Sequence, residues 1–442
     1  MVKYKVIFKG VIDNSEAGWQ EFYQKFGVAY NMSPEQARSW VFQVQNLLYS
    51  RDDMAGAEQA RQYLESLGAI AEMGCSTVVL SANYHRARLF RPRTLGYYNR
   101  PVDWCDFVPT PSLYAEPALL PPVNPDPRCV AATQEAVTAA RGEKLEVIVS
   151  VIGCHNTTLG LAHPELCSEN AFGDRYAFAL CPAQPRVRSY LCSLVRDASR
   201  QLQPDAVLLD SFAYLDAVHR EHHELMFVSP GAFGKYLLAL CFCPACREGL
   251  AREGVDPQTF REQVKALIAA SVAREPQPRS SEWERDELTA LLVEVPEVLA
   301  ATRARGVAVT ELLRQVRQVT QEENVALHAQ SGLLARPSAR AWTEGPGLRA
   351  LAGFADHLFI QAHFGSAREV VQDLGWAATL LPAARLVMAT MAGEDHVASE
   401  GDLTQRVGAA RSLGAAGVCF YNYGLLSPAR LAWIRRANEA FL

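Results

Sequence analysis

The stretch DAVLLDSFAYLDAVHREHHE, residues 205–224, places Asp210 at the end of an apolar run and then gathers three histidines and two glutamates into positions 219–224. The run reads as a buried strand. A carboxylate at its exit suits a nucleophile or base, and Glu224 in the following loop suits an acid, the pair that glycosidic-bond hydrolysis requires. An aspartate at such a turn equally suits a helix cap. His219 and His223 would share a helix face and, with Glu224 and Asp210, offer metal ligands. Their order nevertheless fits neither H-E-x-x-H nor H-x-x-E-H.

Other apolar runs end in comparable residues. Asn83, Tyr84 and His85 follow STVVLSA (76–82), and His155 and Asn156 follow LEVIVSVIG (145–153). His328 and Gln330 close NVALHAQ (324–330), and Gln361 and His363 close DHLFIQA (356–362). Glu394 and Asp395, the alternatives to Glu224 as acid, follow RLVMAT (385–390), and AGVCFYN (416–422) delivers Tyr421, Asn422 and Tyr423. Amides and imidazoles hold hydroxyls while aromatic rings stack on apolar faces, which together suit a carbohydrate. Asn83, Tyr84, His85, His155, Asn156, His223, His328, Gln361, Glu394, Tyr421 and Asn422 are therefore the expected substrate contacts. In the long loop 88–122, Tyr97, Tyr98 and Trp104 are either a stacking platform or the side chains that fold the loop onto the domain. Arg93 and Arg100 are candidates to clamp an acidic substituent.

Eleven cysteines are scattered along the chain, which fits a reducing compartment better than a disulfide framework. In LCFCPACRE, Cys243 and Cys246 have the spacing of half a zinc knuckle, but no second pair follows at the usual distance. Packed thiols beside Leu240 and Phe242 are the first reading; a structural zinc completed by distant Cys or His is the second. No other cofactor is expected.

Positioning these residues requires strands buried on both faces, and the seven runs (counting DAVLLD, 205–210) are continuously apolar as such strands are. Helical stretches lie between them, among them 186–202, 366–381 and 402–415. The alternation predicts a parallel sheet closed into a (β/α)8 TIM barrel, its site at the C-terminal strand ends. An open doubly wound sheet would usually carry a glycine-rich turn after its first strand, and LSANYHRARLF has none. The eighth strand is expected within 226–320. Residues 256–322 read as a helical insertion interrupted by REPQPRSSE (274–282). Residues 1–73 read as a separate small N-terminal α/β module, with a strand at 3–12 and three helices, ahead of the barrel at 74–442.

The segment from Glu169 to Leu225, with NAFGD, LCP and the acidic strand end, together with CFCPAC and the late GVCFYNYG, resembles an uncharacterised family of glycoside-hydrolase-like (β/α)8 barrel proteins. The resemblance covers most of residues 75–442 and implies that fold. The FKG, SPEQA and AEQARQYLESLGA elements resemble a small bacterial α/β module appended to unrelated proteins.

Apolar residues make up 49% of the 442 and charged residues 21%, values of a globular chain. A net charge of -5 argues against nucleic acid as a partner. The lysine-interleaved start MVKYKVIFKG does not read as a signal peptide, and no run is long and apolar enough to span a bilayer, so a cytoplasmic location is expected. The expected partner is a carbohydrate substrate, with neither nucleic acid nor membrane. Three functions stay open: a glycoside hydrolase using paired carboxylates, a metal-dependent hydrolase on the same barrel, and a barrel that binds sugar without cutting it.

Overall fold

The computed structural model describes residues 70–71, 73–93, 95–218, 227–273, 281–332, 337–363 and 365–439. The chain divides into two compact units, Met1–Tyr63 and Leu64–Leu442. The expected N-terminal strand and helices lie outside the described residues.

All seven apolar runs form strands: β1 (Thr77–Ser81), β2 (Glu146–Ile152), β3 (Ala206–Asp210), β4 (Ala326–Gln330), β5 (His357–Gln361), β6 (Leu386–Met391) and β7 (Gly417–Tyr421). They pair in chain order, and every pairing is parallel. Laid flat, six spacings of about 4.8 Å would hold β1 and β7 nearly 30 Å apart. Instead Val79, Ile148, Leu208, Ala326, Phe359, Ala389 and Cys419, one residue from each strand, meet in one interior cluster. The Tyr84 and Tyr421 hydroxyls, just beyond β1 and at the end of β7, lie 2.5 Å apart. The sheet is therefore curled on itself, and the architecture is TIM-barrel-like.

The eighth strand expected within 226–320 is not found among the described residues, which are helical there or in short connections. The register explains why: Ala206 of β3 pairs directly with Ala326 of β4, leaving no place for a strand between them.

Helices cover the outside. Asp126 caps α1 (Pro127–Gly142) and Pro127 occupies its first turn. Along α2 (Pro185–Leu202), Val187, Leu191, Leu194, Val195 and Ala198 repeat at helical spacing and are fully buried. Between β3 and β4 run α3 (Gly231–Leu238), α4 (Pro244–Arg252), α5 (Pro257–Val272), α6 (Ser281–Glu294) and α7 (Pro296–Glu322). These five helices build a second core around Leu237, Phe242, Phe260, Val264, Leu291 and Val298. Helices α8 (Ala367–Leu380), α9 (Glu400–Leu413) and α10 (Pro428–Glu439) complete the layer, and α8 opens on a Ser366–Glu369 capping box. None of the described helices is long and apolar enough to cross a membrane.

Candidate active site at the mouth of the barrel

Two aspartates bracket β3 and differ in what they face. Asp205, before the strand, accepts from the Val147 backbone N–H at 2.8 Å and ties β3 to β2. Asp210 ends the strand. Leu208, Phe359, Ala389 and Cys419 all point into the interior cluster. Side chains alternate along a strand, so Asp210, Gln361, Met391 and Tyr421, each two residues on, emerge on the same inward side at the C-terminal end. Gln330 of β4 follows the same parity from Ala326. These five described residues bring to the mouth one carboxylate, two amides, a thioether and a phenol.

The backbone holds Asp210 in place. Its carbonyl accepts from Gly153 N–H at 2.9 Å, and Ser211 accepts from Cys154 at 2.8 Å, so the loop after β2 runs alongside. Ser211 adopts a left-handed φ of 59°, a conformation costly for a residue with a Cβ. There its hydroxyl reaches back to Asp210 Oδ1 at 2.8 Å and orients the carboxylate. Between the neighbouring ends of β4 and β5, Gln361 Nε2 donates to Gln330 Oε1 at 2.5 Å. Gln361 Oε1 is buried and has no hydrogen-bond partner among the described residues.

An arc of rings follows the rim. The Tyr421 hydroxyl meets that of Tyr84. Tyr84 stacks on His85 at 4.3 Å, and His85 packs on His155 at 4.3 Å. His155 meets Phe178 edge-on at 6.4 Å, and Phe178 stacks with Tyr176 at 5.7 Å. His363 lies 6.2 Å from the Tyr421 ring. Arg406, 1% exposed, donates to the carbonyls of Ala362, Gly365 and His396 and so fixes the loops after β5 and β6 to each other.

No protein-family model matches the sequence, and no curated protein matches it significantly. Solved structures do. The PgaB (BpsB) glycoside hydrolase domain from Bordetella bronchiseptica matches with a TM-score of 0.56 at 13% identity, over 88% of this chain and 95% of that one. The barrel shares its fold with that domain. A β-galactosidase from the psychrophilic Marinomonas ef1 matches at a TM-score of 0.50 and 9% identity, over 86% of this chain and 57% of that one. Alpha-L-fucosidase isoenzyme 2 from Paenibacillus thiaminolyticus gives 0.47 and 12%, over 86% and 46%. The chain thus spans about half the length of these last two proteins. At such identities the likeness is one of fold.

Within the barrel the expected contacts divide. Tyr84, His85, His155, Gln361 and Tyr421 belong to the rim or the mouth. Asn83 instead pairs its amide with the Ile152 backbone, at 2.8 and 2.9 Å, and lengthens the β1–β2 ladder. Asn156 caps the short helix Thr157–Ala162 through Leu159 N–H at 2.9 Å, and Asn422 caps the turn Tyr423–Leu425. His328 lies deeper, stacked on Phe359 at 5.9 Å. Burial first, and then the neighbouring His357, hold its pKa below the ordinary histidine value. Glu394 is exposed in the loop after β6. His219, His223 and Glu224 lie outside the described residues.

The loop after β1 mostly folds onto the barrel. Trp104 is buried, and Arg100 is 4% exposed, paired with Asp106 at 3.0 Å and donating to the Tyr84 carbonyl. Arg100 is thus an internal strut rather than a substrate clamp. Tyr97 remains exposed beneath Arg88, and Arg93 lies 4.1 Å above the Tyr423 ring.

Two carboxyls that the sequence did not single out lie in the loops after β3 and β4. Asp216 is half-buried, and burial pushes its carboxyl up despite a bond from Ala217 N–H and the charges of Lys235 and Arg305. Glu344 is 6% exposed, and its carbonyl accepts from Tyr214 N–H at 2.9 Å. The signal for Glu344 was a glutamate in an otherwise apolar, Gly- and Pro-rich AWTEGPG.

Cys243 and Cys246 are buried with Cys181 and Cys241, their four sulfurs all within 4.8 Å of one another. Cys181 closes a hairpin of Cys167–Glu169 with Arg175–Leu180. That hairpin packs so tightly on the helix Thr157–Ala162 that a Cβ at Gly160 would sit 1.8 Å from the Ala177 carbonyl oxygen. Two cavities lie away from the strand ends. One, of about 560 Å³, is a groove between α2 and α7 lined by Arg188, Cys192 and Gln315; the other, of about 220 Å³, lies beside Cys246 and Arg305.

Proposed function

We propose that the barrel hydrolyses glycosidic bonds in a carbohydrate or glycoconjugate, with Asp210 as nucleophile or base. The inward placement of Asp210 at the C-terminal mouth, oriented by Ser211 beside a rim of aromatic and imidazole rings, carries this reading. Active sites of such barrels form at that end, and sugar faces stack on such rings. Likeness in fold to the PgaB glycoside hydrolase domain, over 95% of that domain, supports it. Tyr84, Tyr421, His85 and His155 border the sugar, and Gln330 and Gln361 hold its hydroxyls.

Cleavage needs a second carboxyl that is protonated when the leaving oxygen departs. Glu224 is the first acid that the sequence offers, with Glu394 or Asp395 as its alternatives. Asp216, in the same loop, is the described alternative that burial favours, because a carboxyl kept neutral is ready to donate. Glu344 is a further candidate.

A panel of aryl glycosides and oligosaccharides tests the function. The purified chain should release phenolate or reducing sugar from at least one member, and inactivity across the panel with oligosaccharide still bound would replace the hydrolase with a sugar-binding barrel. Among Glu224→Gln, Asp216→Asn and Glu344→Gln, the true acid should cost most on poor leaving groups and least on activated aryl ones.

A further inference from the structure

The four buried cysteines come from two separate excursions of the barrel. Cys181 ends the hairpin that follows β2, in front of α2. Cys241 and Cys243 form the turn between α3 and α4, and Cys246 lies in the first turn of α4. Cys181 Sγ is 3.5 Å from Cys246 Sγ, 3.6 Å from Cys243 Sγ and 3.8 Å from Cys241 Sγ. A disulfide needs sulfurs about 2.0 Å apart, so none of these pairs is bonded. Four thiolates placed tetrahedrally at the usual zinc–sulfur distance of about 2.3 Å have sulfurs about 3.8 Å from one another. The observed spacing is that of a coordination shell, with space at its centre for one ion and not for a cluster.

The surroundings suit thiolates. The backbone N–H groups of Glu169 and Cys243 donate to Cys241 Sγ at 3.4 and 3.5 Å. The Tyr214 hydroxyl lies 3.3 Å from Cys246 Sγ. Cys243 is also the N-cap of α4, whose positive end stabilises negative sulfur.

We propose that Cys181, Cys241, Cys243 and Cys246 bind one zinc ion in a closed tetrahedral site. With four protein ligands it has no open position and is structural rather than catalytic. It fastens α4, and with it the second core, to the hairpin after β2. Through Tyr214 it also steadies the loop that follows Asp210, so it acts at the rim without entering the chemistry.

Metal analysis of the full chain, purified without chelator, should find about one zinc per chain. Replacement by cobalt should give the intense visible bands and sulfur-to-metal charge transfer of a tetrahedral thiolate site. Cys181→Ser and Cys246→Ser should each lose the metal and lower Tm, whereas Cys192→Ser, outside the cluster, should keep both. Chelation of the unmodified chain should lower Tm, and added zinc should restore it. A chain purified without stoichiometric metal whose Tm ignores added zinc would overturn the proposal. Stoichiometric iron, or a disulfide among the four in the intact mass, would do the same. Metal content of the unmodified chain decides the matter if the serine variants fail to fold.

Discussion

The hydroxyls of Tyr84 and Tyr421 meet at 2.5 Å across 337 residues of sequence. One phenol follows the first strand and the other ends the seventh, so their bond joins the two edges of the curled sheet at its mouth. A net hydrogen bond contributes about 1 kcal/mol. Tyr421→Phe should therefore reduce unfolding free energy in urea by about that amount while leaving the ring in place. An unchanged urea midpoint would show that the edges are held without it.

Arg305 makes a heavier contribution. Its guanidinium, 4% exposed, donates to the Ala239 carbonyl at 2.7 Å and the Thr343 carbonyl at 2.8 Å, and it lies 4.3 Å over the Tyr214 ring. It joins α7 to the end of α3, to the turn at Thr343 and to the loop after β3. Arg305→Met fills much of the volume but removes the donors to both carbonyls, so a loss of about 3 kcal/mol is expected by denaturant unfolding. Arg305→Lys should recover only part, because an ammonium cannot present the planar fork. A loss near zero for the methionine variant would contradict this role.

His328 gives the barrel interior a pH dependence. Burial and His357 lower its pKa, and the acidic Glu146 and Asp356 pull the other way without prevailing. The unfolded chain then binds a proton more readily than the folded one. Stability should fall as pH drops through the ordinary histidine value of about 6.5 and level off below the depressed folded value. Melting curves from about pH 8 to about pH 5 should show a smaller acid loss for His328→Gln than for the unmodified chain. Parallel curves would contradict the assignment.

Much of the fold was legible because parallel strands buried on both faces lack any polar alternation. DAVLL and DHLFI stand out from their surroundings, and their strands start and stop within about two residues of the runs. The eighth strand was inferred from barrel arithmetic; nothing in the Ala-, Glu- and Arg-rich residues 256–322 favours extended backbone over helix. The site was legible in part. Position after a strand points Asp210 and Tyr421 toward the mouth, but an amide serves backbone as well as sugar, and Asn83 and Asn156 serve backbone. The partnership of Cys181 with a motif 60 residues later follows from the packing of two loops, which spacing along the chain does not encode.

Asp210 is the residue proposed to perform the chemistry at the mouth. The most direct test of that role is turnover by Asp210→Asn on the best substrate of the panel, measured beside the binding of an oligosaccharide by the same variant. We expect turnover to fall by about 10²–10⁴-fold or more with binding retained. Turnover equal to that of the unmodified chain would contradict the account.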